Sequence, residues 1–202
     1  MPYGPAISAE YANGSSIELH RPSRNAFDAL LPVEDEMFRY VSEQYYNYHF
    51  LSYKTSHFFS RVILPMPQTL HWGIHISEQH QRRKLVGLCS VDTVADEFDV
   101  FVLRVNMRGR GIGSQVSRLV MAAMFASGKE SMYTDINPDN APSLAMADRL
   151  SMTMIGEDLD ENQLMFSLNR PELPQGADFA DMVRALGEMS LVDATMEGSL
   201  IN

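Results

Sequence analysis

A glycine-rich loop in the middle of the chain has the residue types that bind phosphate. It lies between a predicted strand and a predicted helix. Glycine adopts positive φ angles without steric cost and lets the backbone approach a ligand closely. The first N–H groups of a helix lack intrahelical acceptors, and the helix dipole adds partial positive charge there. The loop therefore predicts an anion site made by Arg108, Gly109, Arg110, Gly111, Ile112, Gly113 and Ser114.

Two other classes of phosphate loop were compared with this one. A Walker loop ends in Gly-Lys-Ser or Gly-Lys-Thr, whereas Gly113-Ser114-Gln115 has no lysine. A Rossmann loop opens an alternating β-α-β pattern, whereas this loop follows a predicted antiparallel meander in mid-chain. The missing lysine therefore argues against a Walker loop, and the preceding meander argues against a Rossmann loop.

Hydrophobic periodicity supplies the elements that position the loop. A period of two from residue 70 predicts three antiparallel strands, at 70–77, 85–94 and 98–105. A period near 3.6 predicts a helix from Ile112 to about Gly128. The downstream pattern predicts a strand at 132–136, a helix at 143–150 and a hairpin at 154–168. Upstream, the spacing of apolar residues predicts a helical hairpin over about 34–59, either packed on the sheet or forming a wall of a substrate pocket.

The loop and this order of elements resemble the GNAT superfamily of N-acetyltransferases. The family signature, Gln/Arg-x-x-Gly-x-Gly/Ala, is matched in full by Arg108, Gly111 and Gly113. The resemblance covers the chain from about Leu70 to Leu168. It implies an α+β fold with a central mixed, mostly antiparallel sheet flanked by helices. It also implies acetyl-CoA as co-substrate and no metal.

The same resemblance assigns the cofactor contacts. Phe101, Val102 and Leu103 fall where the family's strand splays and its backbone binds the pantetheine arm. The loop residues fall on the pyrophosphate site. Asn140 falls on the family's asparagine, and Ser143 on the small residue after it.

Acetyl transfer to an amine needs a base, because a lysine-like ammonium has a pKa of about 10.4. Asp135 matches the position of a glutamate base in some family members and is the first candidate. Asp99 and Glu97, near the start of the preceding strand, are the next candidates, acting through a water. Each of these acids is alternatively a solvated surface charge. By resemblance, the N–H of Leu103 is the oxyanion donor.

Three departures from the family pattern make cofactor binding better supported than catalysis. Ala147 stands where many members have a general-acid tyrosine, and Ser151-Met152 replaces the usual Gly-Phe. Val105 replaces a proline. Tyr133, in the strand before Asp135, is the available substitute acid; alternatively, it is a packed strand tyrosine.

Composition narrows the class of partner. The formal net charge is −10, which repels nucleic acid and membrane surfaces and attracts a cationic amine. The single cysteine, Cys89, cannot form an internal disulfide and fits a reducing compartment. No apolar run approaches the ~20 residues of a membrane helix. We therefore expect a cytoplasmic protein.

Two functions are consistent with these features. The first is an N-acetyltransferase acting on an amine of a small molecule or a protein. The second is a catalytically impaired GNAT-fold protein that is a structural or interaction component of an assembly. The predicted organisation is an N-terminal arm (1–30) with a short strand near Ser16, a GNAT-like domain (31–170) and a C-terminal extension (171–202). The extension carries one amphipathic helix with no obvious core to serve, which predicts docking on a protein partner or a second copy.

Overall fold

The computed structural model describes residues 4–21, 68–78, 82–102 and 104–197. They form an α+β fold around a nine-stranded mixed sheet with the order β7-β8-β6-β5-β4-β3-β2-β1-β9. The strands are β1 (Ala6–Tyr11), β2 (Ser16–His20), β3 (Thr69–Ser77), β4 (Lys84–Asp92), β5 (Glu97–Val102), β6 (Ser131–Ile136), β7 (Thr153–Asp158), β8 (Gln163–Asn169) and β9 (Leu191–Glu197). All neighbouring strands are antiparallel except β5 and β6, which are parallel.

Three α-helices lie within the described ranges. They are α1 (Ile112–Ala126), α2 (Ala141–Arg149) and α3 (Phe179–Ala185), and a short 3-10 turn at Val105–Met107 precedes α1. Helix α1 is the core helix, because most of its side chains are buried, including Val116, Leu119 and Phe125. It contacts β5, β6, α2 and α3. This packing fixes the N-terminal end of α1 beside the end of β5.

The predicted meander is confirmed. Strands β3, β4 and β5 pair antiparallel in sequence order, and β2 extends them on the β3 side. The period of two arises because alternate residues face the core: Trp72 and Ile74 are fully buried, whereas His71 and His75 are only partly buried. The third strand is shorter than predicted and ends at Val102, because the chain turns into the loop.

The two ends of the chain join the sheet more fully than the sequence indicated. The predicted strand near Ser16 is present, but it forms a hairpin with the unpredicted strand β1. Strand β9, also unpredicted, pairs with β1. The division into arm, domain and extension remains a prediction, although both end segments contribute strands to the same sheet.

The expectation that the tail helix has no core to serve is wrong. Helix α3 packs against α1 and β9 of its own chain. Its residues Met182 and Val183 are buried there, and Leu186 beyond its end is buried as well. A capping box between Asp178 and Asp181 fixes its start. The apolar face of this helix is therefore satisfied within the chain.

The predicted helical hairpin at 34–59 lies outside the described residues, as does Leu103. Within the described ranges, no helix is long and apolar enough to cross a bilayer.

Candidate functional site

Two glycines give the loop its shape, and a third makes room for a neighbour. Gly109 and Gly111 have φ angles of +71° and +79°, in the left-handed region that favours glycine. Gly111 is also the N-cap of α1 and brings no capping side chain. Gly113 has no positive φ. A Cβ at this position would lie 3.4 Å from the sulfur of Met146, so the lack of a side chain lets α2 pack close to the loop.

The start of α1 has donors without protein acceptors. The N–H of Gln115 bonds the carbonyl of Gly111 at 3.1 Å. The N–H groups of Ile112, Gly113 and Ser114 donate to no acceptor in the described part of the chain. The hydroxyl of Ser114 is buried and has no hydrogen-bond partner there either. With no acidic side chain in the first turn, these donors fit phosphate oxygens.

The two loop arginines are bound in different ways. Arg108 donates from Nε to the carbonyl of Val102 at 3.1 Å, which ties the loop to the end of β5. Arg110 is about half exposed; it donates from Nη1 to the sulfur of Met107 at 3.2 Å and forms an ion pair with Glu78. Glu78 follows β3, and its contact with the loop was not predicted, because no local sequence signal links residues 32 positions apart.

A gap opens between β5 and β6 beside the loop. These parallel strands are in register at one pair, Glu97 with Tyr133, and the N–H of Tyr133 bonds the carbonyl of Asp96 at 2.9 Å. Beyond that pair β5 remains bonded to β4 as far as Val102 and Gly87. The β6 side of the later β5 residues, including the predicted contacts Phe101 and Val102, is therefore not bonded to any strand among the described residues.

Three of the predicted acids share one face of the sheet, which we call the open face. Side chains alternate along a strand, and buried Phe98 places Glu97 and Asp99 on the opposite side from the core. On β6, buried Thr134 and Ile136 place Asp135 on that side in the same way. The open face thus carries Glu97 at the closed end of the gap, with Asp99 two residues further along β5 and Asp135 two residues beyond Tyr133 on β6.

Burial and neighbouring acids change the protonation of this group. Burial, and after it the negative charges of Asp99, Asp135 and Asp92, together raise the pKa of Glu97 to about 7. Burial and Asp158 raise the pKa of Asp135. A carboxyl that titrates near neutral pH is suited to proton transfer.

Asp92 was not among the predicted site residues. It faces Glu97 because β4 and β5 pair antiparallel with Asp92 opposite Glu97. The signal was present in the sequence, since the four-residue turn at 93–96 brings the two residues that flank it together. Reading the hairpin register from that turn would have found it.

The comparisons with known proteins agree with this geometry. The sequence model described as the acetyltransferase (GNAT) family matches residues 34–152, more than half of the chain. The chain belongs to the GNAT acetyltransferase family. A search of curated proteins found no match.

Solved structures show the same fold as this GNAT chain. Mycobacterium smegmatis RimJ in complex with CoA-disulfide is 13% identical, with a TM-score of 0.64 over 92% of this chain and 93% of that one. A domain from Methanocaldococcus jannaschii is 18% identical, with a TM-score of 0.63 over 77% and 99%. The microcin C7 self immunity acetyltransferase MccE, in complex with acetyl-CoA and AMP, is 16% identical, with a TM-score of 0.58 over 76% and 92%.

Helix α2 carries one of the positions at which this GNAT chain departs from the family pattern, Ala147. Asn140 is its N-cap: the side-chain oxygen accepts from the N–H of Ser143 at 3.3 Å. Asn140 and Ser143 are both predicted to contact the cofactor, and both thus lie at the start of α2. Met146 of this helix lies beside the loop. Ala147 is fully buried, so α2 brings no hydroxyl to the site at that position. Tyr133, the substitute acid, is partly buried on the open face beside Glu97.

The remaining candidate chemistry lies elsewhere. Burial raises the pKa of Cys89, so its thiol is held in the neutral form. Burial also lowers the pKa of His75, whose Nδ1 lies 3.2 Å from the carbonyl of Gly73. In the described ranges, no group of three or more His, Cys, Asp or Glu side chains is arranged to hold a metal ion.

Proposed function

We propose that this protein is an acetyl-CoA-dependent N-acetyltransferase that acetylates an amine of a small molecule or a protein. The observation that carries the proposal is the start of α1, where three backbone N–H groups and the buried hydroxyl of Ser114 have no acceptor in the described chain. That cradle lies at the open end of the gap between β5 and β6. Membership of the GNAT family supports this use of the cradle.

Each part of the site has a role in holding the cofactor. The loop from Arg108 to Ser114 holds the pyrophosphate through its N–H groups and positive charge. The backbone of Phe101 and Val102 lines the gap for the pantetheine arm, and the resemblance assigns Leu103, outside the described residues, to the same arm. We place Asn140 and Ser143, at the start of α2, beside the bound cofactor. When bound, acetyl-CoA supplies an activated acetyl group as a thioester.

The amine must lose a proton before it can act as a nucleophile. We assign the base to Glu97, because its pKa of about 7 lets it accept a proton at neutral pH. Asp135, the first candidate by resemblance, is exposed and neighbours Asp158. Since Glu97 lies at the closed end of the gap, we place a water between it and the amine, with Asp99 and Asp135 flanking that path.

The open face also favours a cationic acceptor. Its carboxylates at Asp92, Asp99 and Asp135 raise the pKa of Glu97, so their negative field extends across the site. The same field attracts an ammonium ion, as does the formal net charge of −10. We assign the activity to the cytoplasm, because a chain with one buried, unpaired cysteine fits a reducing compartment.

The second function, a structural component of an assembly, has lost part of its support. It rested on the departures at Ala147 and Ser151-Met152 and on the two end segments, and the tail helix of the second segment packs on α1 and β9 of its own chain. The buried Ala147 does not decide between the functions, because Tyr133 and the acids of the open face remain available for proton transfer.

A pH profile of acetyl transfer tests this assignment. The release of CoA thiol from acetyl-CoA is followed with a panel of small amines and peptides. We expect the kcat/KM of the wild-type protein to rise with pH through about 7 as Glu97 loses its proton. Glu97→Gln should remove that limb and lower kcat/KM roughly 100-fold.

Glu161→Gln is the matched control, because it makes the same chemical change at an exposed turn between β7 and β8. It should leave the profile unchanged. An unchanged profile in Glu97→Gln would remove Glu97 from the mechanism. A lack of acetyl-CoA-dependent product with every amine tested would remove the proposed activity itself.

A further inference from the structure

Arg110 is held by protein groups at both of its terminal nitrogens. Nη2 forms an ion pair with Oε1 of Glu78, and Nη1 donates to the sulfur of Met107 at 3.2 Å. The side chain is 48% exposed, so a ligand arriving from solvent can reach it. Glu78 is less exposed, at 30%, but it also reaches solvent and can separate from Arg110 without opening the core.

The arrangement restricts what Arg110 can offer a phosphate. An arginine binds phosphate most strongly with two parallel N–H donors from one fork. In this conformation Glu78 takes one hydrogen of Nη2 and Met107 takes one hydrogen of Nη1. The carboxylate of Glu78 also repels a second anion at short range. The charge and position of Glu78 therefore compete with any contact that Arg110 makes with a phosphate.

Arg108 serves as an internal comparison. Its Nε donates to the main-chain carbonyl of Val102, a neutral acceptor on the strand that precedes the loop. A main-chain acceptor fixes the geometry of the loop and carries no net charge that would oppose a phosphate. The carboxylate bound to Arg110, in contrast to this main-chain carbonyl, carries a charge that competes with an anionic ligand.

We propose that Glu78 is a built-in counter-ion that competes with a phosphate of the cofactor for Arg110. This inference rests on the proposed function, since it requires the loop to bind CoA. When CoA binds, Arg110 exchanges the carboxylate of Glu78 for a phosphate oxygen. Glu78 thus lowers the affinity of the loop for CoA and neutralises Arg110 while the loop is empty.

The test is calorimetric titration of CoA into the full-length protein at low ionic strength. Glu78→Gln removes the charge and keeps the shape, so we expect the Kd for CoA to fall roughly two- to five-fold, the range of an exposed ion pair. Glu130→Gln is the matched control, because it alters the net charge equally. Glu130 pairs with Arg170 and follows the end of α1 that is opposite to the loop. Its Kd should equal that of the wild-type protein.

A second pair of variants isolates the contact. Arg110→Gln should raise the Kd, and adding Glu78→Gln to it should then lower the Kd by a smaller factor than in the wild-type background, because the competition needs Arg110 and only the direct repulsion remains. An unchanged or higher Kd in Glu78→Gln alone would overturn the inference while leaving the cofactor site intact. No binding of CoA by the wild-type protein would overturn the cofactor site as well. Thermal unfolding of each variant verifies that it is folded.

Discussion

Single residues in this protein acquire their chemistry from neighbours that are distant in sequence. Glu97, Asp99 and Asp135 are all acids on strands, and residue type alone gave no order among them. Their order follows from burial and from Asp92 and Asp158, which the strand pairing brings close. The family position favoured Asp135, whereas the electrostatics of the folded sheet favour Glu97.

The raised pKa of Glu97 predicts a pH dependence of stability. In the unfolded chain this carboxyl titrates at its ordinary value of 4.5, and in the folded chain at about 7. The folded state therefore holds a proton that the unfolded state loses between these values, so stability falls as pH rises through this window. The contribution is fully present below about 4.5 and is lost above about 7.

Glu97→Gln should consequently raise the free energy of unfolding at pH 8 by about 1–3 kcal/mol. At pH 4.5 the two proteins should differ little, because the wild-type carboxyl is then largely protonated. Urea unfolding at the two pH values measures this difference. Glu161→Gln, at an exposed position, is the control and should change neither value by more than about 0.5 kcal/mol. Equal stability of wild-type and Glu97→Gln at pH 8 would contradict the burial of a charge at Glu97.

At the scale of elements, local signals predicted the loop and most of the sheet. Glycine spacing predicted the loop, and the alternation of apolar and polar residues predicted β3, β4 and β6. Both patterns can be read from a few neighbouring residues. Strand β9 was missed because its burial pattern is irregular, with Leu191 and Ala194 buried three positions apart. Helix α2 begins two residues earlier than predicted, because Asn140 caps it.

A buried ion pair connects the elements around α1. Arg118 on α1 bonds Glu188 at 3.2 Å, the carbonyl of Leu186 at 2.8 Å and the carbonyl of Arg149 at 3.3 Å. Glu188 also accepts from the N–H and hydroxyl of Ser190. The loop helix is thus bonded to the end of α2 and to the connection between α3 and β9.

Removing Arg118 should leave the carboxylate of Glu188, which is only 8% exposed, without its cation. We expect Arg118→Met to lower the free energy of unfolding by roughly 3 kcal/mol. Arg170→Met, which breaks an exposed pair with Glu130 at 3.6 Å, should cost less than about 1 kcal/mol. Urea denaturation of the three proteins measures both effects. A cost as small as that of Arg170→Met would show that the buried pair does not hold the segments together.

At the scale of the whole molecule, both ends of the chain are structural. Strand β9 pairs with β1 in the sheet, and the C-terminal segment contributes residues to the core that surrounds α1. These are Ala180, Met182, Val183, Leu186, Leu191 and Ala194. Sequence patterns could not show this, because the pairing joins residues at opposite ends of the chain.

Deletion of residues 171–202 should therefore destabilise the protein rather than release a partner. It removes β9 from the sheet and exposes the apolar side of α1 to water. We expect aggregation, or a large fall in the thermal midpoint together with binding of a hydrophobic dye. Size-exclusion chromatography and thermal unfolding of the truncated protein measure this. A monomer with an unchanged midpoint would show that the segment is dispensable for folding.

The central claim is that the start of α1 binds the pyrophosphate of acetyl-CoA, and calorimetric titration with acetyl-CoA tests it most directly. The wild-type protein should bind, and Gly111→Glu should not, because its carboxylate would stand at the phosphate site. Gly176→Glu is the matched control, placing the same side chain at another positive-φ glycine, in an exposed turn outside the loop; it should bind as the wild-type protein does. No binding by the wild-type protein, or equal binding by Gly111→Glu, would contradict the claim.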